Sequence, residues 1–140
     1  MALPTKLHLE IVTPDRAVVA EDVDEIQVPG AEGHFGILPG HTPLLASLQV
    51  GELWYRAGDD THHMAIAFGF VEVRLDRVTI LANGAEKAID IDISRAEAAK
   101  VRAEERLSSA TADMDIERAR ISLLRSIARL RVAARARTRG

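Results

Sequence analysis

Five arginines carry most of the chemistry this sequence offers. Arg95 and Arg102 lie seven residues apart, and Arg118, Arg125 and Arg129 follow at i, i+7 and i+11. On α-helices each set shares one face. Two such helices side by side would turn guanidinium groups towards a common point, and the planar fork of arginine suits bidentate contact with phosphate. Glu86 and Asp92 precede the first set, where carboxylates can accept hydrogen bonds from an adenine amine or a ribose hydroxyl. No glycine-rich phosphate loop accompanies them. By spacing alone, a solvated helix face is the better account of these arginines.

Other chemistries are poorly served. His62 and His63 are adjacent in an apparent turn, His34 and His41 fall in loops and His8 on a strand. None has ligand spacing on a rigid element and the chain has no cysteine, so no metal site is expected. No nucleophile, base and acid fall into a triad-like grouping, so no catalytic site is expected either. The arginine-rich end "RLRVAARARTRG" could neutralise nucleic-acid phosphates. Yet no aromatic residue interleaves with it to stack on bases, and the apolar stripe beneath it argues for a protein partner.

The elements that must position these residues differ between two segments. All five prolines, all five aromatic residues and eight of the nine glycines fall in residues 1–84, and none occurs from Ala85 to Arg139. Charge divides as well. Residues 1–117 hold all 21 acidic residues against ten basic ones, a balance of −11, whereas the last 23 carry eight arginines and no acid. Such an asymmetry suits an interaction tail for an acidic partner. The longest apolar run, "MAIAFGFV", is too short to span a bilayer, and the first ten residues lack the regions of a signal peptide.

The first segment reads as β-structure. Leu7, Leu9 and Ile11 alternate with polar neighbours, as do Ile26 and Val28. Met64, Ile66, Phe68 and Phe70 occupy one face, and Val71, Val73 and Leu75 take the opposite parity, with a break or bulge at Gly69. Val78 and Ile80 make a further strand. Turn signals such as "TPD", "LPGHTP" and "AGDD" separate the runs, which argues for a β-sandwich. The second segment reads as two helices. "SRAE" at 94–97 has the form of a capping box with Ser94 as the cap, Asp92 being the other candidate start, and Ala96, Ala99, Ala103, Leu107 and Ala110 follow at helical spacing. After a break in "SSATAD", Ile116, Leu123, Ile127, Leu130 and Ala134 form the stripe of a longer helix. A short loop and single apolar faces predict an antiparallel hairpin able to leave its seat.

Two stretches carry a resemblance. "VPGAEGHFGILPGHTPLLASL" (28–48) and "IDISRAEAAKVR" (91–102), in this order and on this layout, are similar to the epsilon subunits of bacterial F-type ATP synthases over essentially the whole chain. The second fits that family's I/L-D-x-x-R-A-x-x-A-x-x-R nucleotide motif at each specified position. The resemblance implies an α+β chain: a ten-stranded β-sandwich over residues 1–86, then a helical hairpin over 87–140. It implies a non-catalytic subunit of the rotating central stalk, coupling proton flow to ATP synthesis. The sandwich would bind the gamma subunit and rest on the c-ring through Glu32, His34 and His41. The hairpin would fold down on the sandwich in the isolated subunit. Extended, its basic helix would meet the catalytic beta and alpha subunits and inhibit ATP hydrolysis.

No cofactor is required on this reading. ATP is implied as a regulatory ligand of the folded hairpin, on Glu86, Ile91, Asp92, Arg95, Ala96, Arg102, Arg125 and Arg129. The implied place is the cytoplasmic face of the bacterial plasma membrane, peripheral and without insertion, and with no nucleic-acid partner. The alternative is a free-standing ATP-sensing or nucleic-acid-binding adaptor using the arginine-rich tail.

Overall fold

The computed structural model describes residues 3–109 and 112–137. Eight strands come first: β1 (Leu7–Val12), β2 (Ala17–Val23), β3 (Glu25–Gly30), β4 (Gly33–Ile37), β5 (Leu44–Leu48), β6 (Gly51–Ala57), β7 (Asp60–Val73) and β8 (Arg77–Lys87). A 3-10 turn (Ala88–Asp90) then leads into helices α1 (Ile93–Ser109) and α2 (Asp113–Arg137). The strands run in the order β2-β1-β8-β7-β5-β3-β4, with β6 bridging β3 and β7. All pairs are antiparallel except β1 with β8. Folded into a sandwich, they enclose Leu7, Leu9, Ile11, Ile26, Ile37, Leu53, Met64, Ile66 and Ile80, none more than 1% exposed. Their burial from water is the main favourable term in the fold.

Eight strands take the place of the ten expected. β7 and β8 are 14 and 11 residues long and continue through a common break, where Ala67 pairs with Gly84 and Gly69 with Ala82. The first part of β7 pairs with β6 and the second with β5, so one bent strand serves two partners. Two continuous strands thus do the work of four. The break lies at Phe68 and Gly69, both with positive φ (57° and 136°), which is the register change that Gly69 signalled. It acts one residue earlier than expected: Met64 and Ile66 are buried, but Phe70 is 56% exposed. Leu75, expected on a strand, lies in the β7–β8 turn and is 45% exposed.

The hairpin is folded down. α2 packs against α1 on one side and against β7, β6 and the 3-10 turn on the other. Its 25 residues extend about 37 Å, enough to cross the sandwich. Ala96 and Ala103 of α1 are buried as expected, with Ala99 and Leu107 half-buried. Ala110 lies outside the described residues, as do Thr111 within the break and Thr138–Gly140 of the arginine-rich end.

The stripe on α2 differs from the expected one. Ala119, Ser126, Ala128, Val132 and Ala133 are buried, whereas Ile116 and Ala134 are exposed and Leu123, Ile127 and Leu130 only half-buried. The seam against Ala96 and Ala103 admits only small side chains, so the bulky residues line its edges. Ser126 is tolerated there because its hydroxyl donates to the Ser122 carbonyl at 2.9 Å.

Candidate nucleotide seam and exposed sheet surface

Glu86, next to the last residue of β8, extends its carboxylate beneath α2. Arg129 forms an ion pair with it: Nη2 donates to Oε2 at 3.3 Å, and Nε lies 2.8 Å from Oε1 without the angle of a hydrogen bond. One turn earlier Arg125 lies against Gly84, where an added Cβ would stand 3.3 Å from Nη2. These four residues help line a cavity of about 40 Å³, room for little more than a water molecule. A nucleotide enters only if Arg129 leaves Glu86 or α2 lifts from β8.

The remaining candidates cluster at the start of α1. Asp92 is the N-cap: its Oδ1 accepts the backbone N–H of Arg95 at 3.1 Å, and its carbonyl accepts that of Ala96 at 3.0 Å. Of the two starts the sequence offers, Asp92 and Ser94, the structure takes Asp92, which reaches the third amide of a helix that begins at Ile93. Ile91 is buried with Ala65, Val132 and Ala133, and Ala96 lies in the helix seam. Arg95 and Arg102 are exposed. The fold thus gathers Glu86, Arg125 and Arg129 at one seam and leaves the α1 arginines in solvent.

The loop residues do not share one end of the sandwich. Glu32 sits in the β3–β4 turn, exposed beside a groove of about 410 Å³ that includes Phe35, Leu44, Leu45 and Ser47. His34 stands opposite Pro29 on the same hairpin. His41 lies beyond the far end of β4 and β5, its Nδ1 donating to the Thr42 carbonyl at 2.6 Å, next to Gly40, whose N–H donates to Leu75. β5 runs between the two ends, and its five residues extend about 16 Å. Rigid turn residues separate these groups instead of gathering them.

One surface escaped the sequence reading. On the outer face of β5, β7 and β8, Ser47 stands opposite Phe70 and Phe70 opposite Leu81, with Leu45 one row away. Leu45, Phe70 and Leu81 are 71%, 56% and 56% exposed. These apolar side chains form an exposed patch on the sheet that nothing in the chain covers among the described residues. The signal was present in the adjacent Leu44 and Leu45, which a strand sends to opposite faces. Among the described residues no group of three His, Cys, Asp or Glu is placed to hold a metal ion, and no helix is long and apolar enough to cross a membrane.

Comparison with known proteins agrees with this architecture. Residues 6–88 match the ATP synthase delta/epsilon chain β-sandwich domain, and residues 90–134 the long α-helix domain of the same chains. The ATP synthase epsilon chain of Nitratidesulfovibrio vulgaris is 52% identical over 126 residues, covering 90% of this chain and 94% of that one. ATP synthase epsilon chain 2 of Syntrophotalea carbinolica is 50% identical over 131 residues, covering 93% and 95%. Among solved structures, a chain of the Euglena gracilis mitochondrial ATP synthase superposes with a TM-score of 0.82 at 22% identity, covering 99% of this chain and 84% of that one. With its sandwich, its hairpin and these relatives, the chain belongs to the ATP synthase delta/epsilon family as an epsilon chain, a non-catalytic subunit of that enzyme.

Proposed function

We propose that this subunit links the c-ring to the gamma subunit in the rotating central stalk, at the cytoplasmic face of the bacterial plasma membrane, and that its hairpin regulates ATP hydrolysis. The exposed face around Leu45, Phe70 and Leu81 docks on gamma, and the groove beside Glu32 meets the c-ring. Structural neighbours from the Euglena and Tetrahymena mitochondrial enzymes, the latter described as central stalk and c-ring, support that placement. Folded down, the hairpin binds ATP between α1 and the α2–β8 seam. Extended, its basic helix reaches the catalytic beta and alpha subunits and inhibits hydrolysis. ATP favours the folded form because it binds that form better, which is a population shift.

The observation that carries this reading is the Arg129–Glu86 pair with Arg125 beside it. Two guanidinium groups are held at one seam, one of them by a carboxylate that an incoming phosphate can replace. Calorimetric titration with ATP tests it, with Arg95→Ala and Arg125→Ala as controls. Saturable binding lost in both variants is the expected result. No heat at millimolar ATP would make the arginines a solvated face and the subunit a coupling element insensitive to nucleotide.

A further inference from the structure

α2 crosses the sandwich along a single cross-strand row. Glu52 on β6 stands opposite Ala65 on β7, and Ala65 opposite Glu86 on β8. All three side chains therefore project from one face, and the carboxyl-bearing residues stand two strand spacings apart, about 10 Å. Above this row α2 offers Arg129 to Glu86 and Arg135 to Glu52, the latter with Nε 3.2 Å from Oε1. Between the two pairs Val132 and Ala133 cover Ala65. Six residues of helix rise about 9 Å, which matches the separation of the two glutamates.

The match defines a docking register. A slip of one turn would pair Arg125 and Arg131 with the same carboxylates. It would also bring Ala128 and Arg129 over Ala65 in place of Val132 and Ala133, and press a guanidinium stem into the apolar centre. The charges permit two registers and the apolar centre selects one.

Glu52 is the carboxylate that meets Arg135 in the last turns of α2. A cavity of about 270 Å³ beside it is lined by His62, His63, Lys87, Ala88, Ile89 and Ala136, with no carboxylate among them. We propose that Glu52 is the positioning residue that docks the arginine end of α2 on the sandwich, independently of Glu86. This rests on the reading above that the hairpin leaves its seat, and it adds a role for the second pair. When an anionic ligand takes Arg129 from Glu86, the Glu52–Arg135 pair still holds the helix down, so the ligand is retained by a docked hairpin instead of expelling it.

The chain contains no cysteine, so spin labels can be placed on Asp59→Cys, in the β6–β7 turn, and Ala134→Cys, on the exposed side of α2. Pulsed dipolar spectroscopy of the full chain then gives the ratio of docked to undocked hairpin. The backgrounds are the labelled parent, Glu52→Gln, Arg135→Gln and the exchange Glu52→Arg with Arg135→Glu. Each single change is expected to lower the ratio roughly two- to five-fold, as suits a partly exposed pair, and the exchange to restore it. Salt is expected to lower the ratio more steeply in the parent than in Glu52→Gln. An undocked population equal in all four backgrounds would overturn the role of Glu52 and leave hairpin motion standing. No undocked population in any background, even at high salt, would overturn both.

Discussion

Gly69 shows how much one residue can decide. Its φ of +136° lies where side chains are rarely found, and an added Cβ would stand 2.0 Å from the Leu81 carbonyl oxygen and 2.8 Å from the Ala82 Cα. Backbone on a central strand pair cannot step aside. Gly69→Ala is therefore expected to cost more than about 2 kcal/mol, measured by urea unfolding. Tyr55, the chain's one tyrosine, gives a second test. Burial pushes its phenol up to about 12, and Glu21 adds a negative charge and accepts its hydrogen bond. Below about pH 10 the phenol is protonated in both the folded and unfolded chain, and its contribution is intact. As pH rises further the unfolded chain sheds the proton first, so stability falls until the folded-state value near 12 is passed. Urea unfolding as a function of pH is expected to show this alkaline loss in the parent and not in Tyr55→Phe.

Among the elements, the helical hairpin is held by small contacts. α1 reaches the sandwich chiefly through α2, and the seam between them is closed by Ala96, Ala103 and Ala119, each no more than 2% exposed. Alanines allow close approach but bury little area, so the seam stabilises less than a leucine-lined one would. It also resists added volume. Ala103→Leu is expected to destabilise the hairpin by about 1–3 kcal/mol while the sandwich is unaffected. Hydrogen exchange checks this: amides of α1 and α2 should exchange earlier, and those of β7 and β8 should keep their protection. The helix period was plain in the sequence, yet the inward face of α2 was not. Leucine and isoleucine at i, i+7 and i+11 promised a core stripe, and the neighbouring helix left room only for alanine and serine.

Across the whole molecule the sandwich carries two distinct outer surfaces. One holds α2 through Glu86, Ala65 and Glu52. Another, formed by the outward side chains of β5, β7 and β8, presents Leu45, Phe70 and Leu81 to solvent. A face of this kind stabilises nothing in the isolated chain, so Phe70→Glu should leave the urea midpoint nearly unchanged. Binding to the gamma subunit, measured by co-purification or titration, is expected to fall at least ten-fold, because a carboxylate would be buried at the centre of the interface. Retained binding would move the gamma contact away from this sheet.

Alternation of Leu7, Leu9 and Ile11, the glycine at the β7 break and the alanine spacing of α1 are local patterns. The sequence by itself therefore determined a sandwich followed by a hairpin, together with the motif that relates the chain to its family. Such features follow from backbone period and turn chemistry, which act over a few residues. Tertiary structure alone decided that Phe70 faces outward and that Arg129 and Arg135 each find a glutamate. It also brought Glu52 and Glu86, 34 positions apart in the chain, into one row. Their placement depends on which strands pair, on the shift of register at Gly69 and on where a helix lands across a sheet. No local period encodes those choices, because the contacts that fix them join residues far apart in the chain.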